Sequence, residues 1–190
     1  MRAGIVNELH RGALKNFPRR RVIVRGIDDL FQADLIDMQK FAKFNKGIKF
    51  ILVVINVFTK FAYAEPIKSK NANDVTNAMS KILIKKNVNI SHLHTDFGKE
   101  FFNAKFQELM KKYGINHYYT YSTMKASVVE RLNRTIKAKI WKNFSLRGAW
   151  VFYDVLEKII CEYNSTKHRT VGMKPCDVKK TRTTSFIDCL

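Results

Sequence analysis

Acidic residues are scarce in this chain. Sixteen Asp and Glu stand against 35 Lys and Arg, a formal charge of +19. No fold requires such an imbalance, and a polyanionic partner is what would favour it. Plain nucleic-acid binders share the bias, so charge alone does not separate a binder from an enzyme. Cysteine is scarce as well. Cys161, Cys176 and Cys189 are odd in number and form no Cys-x-x-Cys pair, which argues against a disulfide framework or a zinc site built on such pairs. Long apolar runs are missing. The longest, residues 50–55, is far too short to span a bilayer. No amphipathic lipid-binding helix is evident, and the chain does not open on the apolar core of a signal peptide. The expected setting is intracellular and reducing, without a membrane, and nuclear in a eukaryotic host.

What is present suits one domain with a real core: 190 residues, 46% of them hydrophobic. Residues 1–26 read as an extended basic arm carrying Arg19, Arg20 and Arg21 behind Pro18. Strands are expected over residues 31–38, 48–56, 61–67, 90–95 and 115–120, where β-branched and aromatic residues gather. Helices are expected from a cap at Asn71 or Asn73 to about 85, over 103–113 with a stop at Gly114, over 126–146, and over 151–163. The 126–146 helix shows an apolar stripe of Val129, Leu132, Ile136, Ile140 and Phe144. Residues 121–125 should form a mobile loop. The order of elements argues for a mixed sheet with helices on both faces.

Three carboxylates stand out. Asp34 lies inside an otherwise apolar strand, where an ionised side chain is costly unless paired or metal-bound. Asp37 competes for that role but stands at the strand's end. Asp96 follows a strand and precedes Gly98; ligands gather at the carboxyl ends of strands in α/β sheets, although an Asp there can also cap a helix. Glu100 fits the start of the next helix. Glu130 heads the long helix, and no other acid occurs before Asp154 while Arg131, Arg134, Lys137, Lys139, Lys142 and Arg147 follow. At 100° per residue, Asn133, Arg134 and Lys137 project from its flank. A solvated face is the ordinary reading of such charges; a lone acid at the head of a phosphate track is the other. Asp34 and Asp96 are 62 positions apart, and Glu130 follows Asp96 by 34. Three acids so delivered can hold two divalent ions, which clamp the attacking and leaving oxygens of a phosphodiester. His92 and His94 fit strand packing better than a zinc site. Tyr118, Tyr119 and Tyr121 fit strand positions better than base-stacking ones.

Several segments carry a family resemblance. They are Asn16-Phe17-Pro18-Arg19-Arg20-Arg21, Phe31-Gln32-Ala33-Asp34-Leu35, Thr95-Asp96-Phe97-Gly98-Lys99-Glu100-Phe101, the run from Lys125 to Lys137, and Tyr163-Asn164-Ser165-Thr166-Lys167-His168-Arg169-Thr170. Together they resemble the catalytic core of retroviral and retroelement integrases, nearest to those of the self-synthesising Maverick or Polinton transposons. The resemblance implies an RNase H-like α/β fold, a five-stranded mixed sheet flanked by helices, over residues 27–178, with 179–190 as a tail. It implies Asp34, Asp96 and Glu130 as the catalytic triad, binding two Mg²⁺ or Mn²⁺ ions. It implies DNA contacts from Lys125, Asn133, Arg134 and Lys137, with Arg19, Arg20 and Arg21 added from the arm. The reaction would be 3′-end processing and strand transfer on element ends and target DNA, by a homo-oligomer. Departures from the pattern are visible, among them an Asp96–Glu130 separation slightly shorter than the retroviral norm, which affects a loop rather than the ligands. Asn56 stands where such cores often carry an acid, and the 190 residues hold neither a His/Cys zinc module nor a carboxyl-terminal DNA-binding module. The alternative is a domesticated or truncated relic that binds DNA without catalysis; the retained acids favour the enzyme.

Overall fold

The computed structural model describes residues 5–6, 22–85, 88–119 and 126–178. Arg19, Arg20 and Arg21, Tyr121, the 121–125 loop with Lys125 and the 179–190 tail lie outside the described residues.

Five strands form one sheet in the order β3-β2-β1-β4-β5. They are β1 (Leu30–Asp37), β2 (Phe50–Asn56), β3 (Ala62–Ile67), β4 (His92–Thr95) and β5 (Asn116–Tyr119). β1 pairs antiparallel with β2, and β2 with β3. β1 runs parallel to β4, and β4 to β5. Among the described residues, four longer helices flank the sheet: α1 (Ala72–Lys85), α2 (Ala104–Lys112), α3 (Ser127–Arg147) and α4 (Leu156–Ser165). The mixed sheet flanked by helices is the RNase H-like arrangement expected from the sequence.

Both faces of the sheet are covered, which is why β2 is buried along its whole length, apolar from Phe50 to Ile55. On one face Phe31, Ala33, Leu52, Val54 and Leu93 pack with Val75, Met79 and Ile82 of α1 and Phe106 and Met110 of α2. On the other, Ile36, Ile51, Val53 and Ile55 meet the α3 stripe Val129, Leu132, Ile136, Ile140 and Phe144, with Leu156 and Ile159 of α4. Side chains alternate along a strand, so Gln32 and Asp34 share the second face with Ile36. That alternation aims Asp34 at α3.

Boundaries differ from expectation where buried amides intervene. The last helix begins at Leu156, not at 151. Asn45, fully buried, accepts from Phe152 N (2.7 Å) and Tyr153 N (3.2 Å) through Oδ1 and donates to the carbonyls of Phe41 and Trp150. These bonds hold the 151–155 segment in a turn. Asn45 closes a short 3-10 helix, Gln39–Phe44, which the sequence reading did not anticipate. Asn164 exchanges two hydrogen bonds with the backbone of Ala62 and pins α4 to β3. Asn71 is the residue that caps α1, accepting from Asp74 N at 2.8 Å. Gly148 ends α3 in the left-handed region, φ 64°, its N–H reaching Phe144 O.

Candidate active site

Asp34 sits at the middle of β1, half-buried beneath α3. Its Oδ1 accepts from Leu35 N at 2.7 Å, and its Oδ2 accepts from Asn133 Nδ2 at 2.7 Å. Its pKa nonetheless rises from 3.8 to about 6. Burial is the main cause; the Leu35 N–H opposes it, the charges of Asp96 and Glu130 add to it, and Asn133 opposes it. Asp34 therefore stands within the field of both other acids. Competing Asp37 is exposed and spends both oxygens on Gln39, accepting from its backbone N–H and its side-chain amide.

Asp96 follows β4 and is exposed, its Oδ1 accepting from Gly98 N at 3.3 Å. The turn is tight at Gly98, where a Cβ would fall 2.7 Å from the Glu100 carboxylate. That contact corrects the expectation for Glu100. It does not head the next helix, whose cap is Asn103, accepting from Phe106 N at 3.0 Å. Glu100 instead folds over Gly98. The carbonyl of Asp96 is held from within the fold. Thr95 Oγ1 donates to it at 2.8 Å and meets His117 Nε2 at 2.9 Å, while Gln107 Nε2 lies 2.8 Å from His117 Nδ1. An amide nitrogen only donates, so His117 Nδ1 accepts and Nε2 carries the proton. Burial first, then the neighbouring His94, pulls the His117 pKa down to about 4, which keeps that neutral tautomer.

Glu130 lies half-buried in the first turn of α3, its N–H bonded to Ala126 O. Arg134 and Lys137 are exposed on the outer side of the helix. Asn133 is not beside them. It is 9% exposed and turned inward onto Asp34, because α3 rests directly over β1. The basic run is also thinner than the sequence suggests, since Lys139 pairs with Glu162 at 2.6 Å and Arg147 with Asp154 at 2.7 Å. The histidines pack as expected: His94 stacks on Tyr118 with ring centroids 5.0 Å apart, and His92 pairs with Asp29. Asn56 is structural, accepting from Phe58 N and Thr59 N to shape the β2–β3 turn.

Sequence reasoning passed over Gln32, although its signal was present: a polar residue in an apolar strand, two positions before Asp34 and on the same face. Gln107 and Asn45 gave no comparable sign.

Among the described residues, no three Asp, Glu, His or Cys side chains are grouped tightly enough to hold a metal ion as they stand. The donor chemistry still fits a hard divalent cation: all-oxygen carboxylates, one of them destabilised by the other two. No helix among the described residues is long and apolar enough to cross a membrane.

This order and pairing of strands, flanked by helices, is an RNase H-like fold. Residues 29–122 match the integrase core domain family. The chain is 31% identical over 143 residues to an uncharacterized transposon-derived protein of Caenorhabditis elegans, covering 75% of this chain and 50% of that one. It thus spans about half the length of that curated relative. Among solved structures, a chain of the simian T-cell lymphotropic virus intasome superposes with a TM-score of 0.73 at 17% identity, over 87% of this chain and 59% of its own. The HTLV-2 integrase catalytic core, in complex with magnesium, gives 0.68 at 18% identity over 82% and 99%. The BIV integrase core gives 0.63 at 21% identity over 80% and 93%. At these identities the structural likeness establishes the shared fold.

Proposed function

We propose that this protein is the catalytic core of an integrase-type polynucleotidyl transferase that processes DNA 3′ ends and joins them to target DNA. The observation that carries the reading is the electrostatic convergence on Asp34: Asp96 and Glu130, from two other elements, both act on its carboxylate. Acids held together against their own repulsion are characteristic of sites that receive a cation. Asp34, Asp96 and Glu130 would hold two Mg²⁺ or Mn²⁺ ions. Bound there, the ions supply a deprotonated nucleophile and a counter-charge for the leaving 3′-oxygen. The chain's own residues orient: Leu35 N–H and Asn133 fix the Asp34 carboxylate, and the Thr95–His117–Gln107 relay fixes the Asp96 backbone. Arg134 and Lys137, with Lys125 and the arm residues Arg19, Arg20 and Arg21, would carry DNA phosphates. The relation to a transposon-derived protein supports an origin in a mobile element; the Maverick or Polinton type, resting on the motif resemblance, and a nuclear site of action are parts of the proposal. The intasome and the dimeric and trimeric integrase cores among the structural neighbours support action as a homo-oligomer.

The test is a strand-transfer assay on candidate element ends with Mg²⁺ and with Mn²⁺. Joining that requires the ion and is lost in Glu130→Gln supports the enzyme. DNA binding with no cleavage or joining under either ion would leave the relic reading in its place.

A further inference from the structure

Gln32 is 3% exposed and uses both ends of its amide. Its Oε1 accepts from Val128 N and Val129 N, each at 3.1 Å. Its Nε2 lies 3.4 Å from His94 Nδ1. The three partners share a pattern. Gln32 precedes Asp34 by two residues, His94 precedes Asp96 by two, and Val128 precedes Glu130 by two. One side chain thus joins the three elements that carry the three acids, within two residues of each acid.

The need for such a bond is local. The first N–H groups of a helix have no intrahelical acceptor, and α3 receives no side-chain bond from its own cap residue, Ala126. Gln32 takes that role from the sheet. With its oxygen committed to two backbone N–H groups, its nitrogen can only donate, so His94 Nδ1 must accept and stay unprotonated. Burial pulls the His94 pKa down, in agreement with that state.

We propose that Gln32 is a positioning residue of this site: it ties the head of α3 and, through His94, the end of β4 to β1, and so sets the separations among Asp34, Asp96 and Glu130. The inference rests on the reading of these acids as metal ligands. A tie two residues from each ligand acts on the metal as ligand-orienting partners do, and removing such a partner weakens metal binding by about 10- to 100-fold.

Two variants of the full chain test it. Gln32→Met keeps length and loses all three hydrogen bonds; Gln32→Glu keeps an acceptor for the helix. Amide hydrogen exchange is followed at Val128 and Val129, with Ile136 and Ile140 as references in the same helix, and Mn²⁺ affinity is measured by electron paramagnetic resonance of the free ion. In Gln32→Met, exchange at Val128 and Val129 should quicken at least about tenfold while Ile136 and Ile140 stay protected, and Mn²⁺ affinity should fall by about 10- to 100-fold. Gln32→Glu should restore protection at Val128 and Val129. Unchanged exchange in Gln32→Met, or lost protection with Mn²⁺ affinity within about twofold of wild type, overturns the proposal. Should Gln32→Met fail to fold, lost protection at Val128 and Val129 in a folded Gln32→Glu overturns it equally. Failure of the wild-type chain to bind Mn²⁺ at millimolar concentration overturns the ligand reading itself, an outcome distinct from a wild type and a Gln32→Met that bind the ion equally well.

Discussion

Asp34→Asn should make this protein more stable. In the fold the Asp34 carboxyl titrates at about 6 against 3.8 for an ordinary aspartate. At about 1.4 kcal/mol per pH unit, keeping it ionised costs the native state about 3 kcal/mol at neutral pH. The sign follows from proton counts. Between pH 3.8 and about 6 the folded chain binds more protons at this site than the unfolded one, so stability falls as pH rises through that window and then levels off. Asparagine keeps the acceptor for Leu35 N and drops the charge. Its new amide nitrogen meets Asn133, whose Oδ1 is buried without a hydrogen-bond partner; a flip of the Asn133 amide would supply the acceptor. The expected gain is about 2–3 kcal/mol at pH 8, roughly 5–10 °C in Tm for a chain of this size, shrinking to nothing near pH 3.5. Urea unfolding of both proteins across pH 3.5–8, in chelator, measures it. Millimolar Mn²⁺ should then raise the stability of wild type and leave Asp34→Asn unmoved. A variant that is less stable at pH 8, or whose difference from wild type does not change with pH, refutes the account of Asp34 as a strained carboxylate awaiting a cation.

Glu130→Gln should abolish joining while leaving DNA affinity nearly unchanged or slightly higher, because glutamine keeps the shape and loses the charge that binds a divalent ion; joining at wild-type rate would remove Glu130 from the site. Arg134→Ala and Lys137→Ala should each flatten the log-affinity against log-salt slope for DNA by roughly one, whereas residues that only solvate α3 would leave slope and affinity as they are. His117, whose pKa falls from 6.5 to about 4, contributes stability that is complete above pH 6.5 and is lost as pH drops towards 4, up to about 3 kcal/mol; since Asp34 acts in the opposite sense over nearly the same range and by nearly the same amount, the two offset in wild type, so relative to wild type Asp34→Asn should gain stability as pH rises from 4 to 6.5 and His117→Gln should lose it, in urea unfolding across that range. Asn45→Ala strips partners from four backbone groups, that of Phe152 in a buried bond and the others in part-buried ones, and should cost about 2–4 kcal/mol in urea unfolding; a loss under about 1 kcal/mol would mean that water replaces the amide.

The apolar framework was legible in the chain because period and burial follow one rule. Residues 50–55 are apolar throughout, four of the six β-branched, and are buried throughout; Val129, Leu132, Ile136, Ile140 and Phe144 recur at helical spacing and face the sheet together. Asp34 was legible for the opposite reason, as a charge where the rule forbids one. What the chain did not disclose are the polar residues whose role depends on a partner far away in sequence. Asn45 bonds to residues more than a hundred positions on, Asn164 reaches back to Ala62, and Gln32 meets α3 96 and 97 residues later. Helical spacing likewise grouped Asn133 with Arg134 and Lys137 on the flank of Glu130, since 100° per residue sets angles relative to the helix and not to the strand it rests on.

That distinction matters for the chemistry. The acids that give a site its charge declare themselves through local cost, an ion in an apolar strand or at a helix head. The amides that fix distances between those acids carry no charge and break no pattern strongly. At this site the two kinds interlock: Asn133 and Leu35 N–H restrain Asp34 itself, whereas Gln32 holds the elements bearing Asp34, Asp96 and Glu130. Repulsion among three carboxylates pushes those elements apart, and neutral hydrogen bonds opposing it add no charge of their own. A lysine at position 32 would hold the helix head no better, having no acceptor for its N–H groups, and would neutralise the field that draws in a cation. A glutamine supplies an acceptor and a donor at fixed spacing with no net charge, which is the combination required to hold anionic ligands close while leaving their charge for the ion.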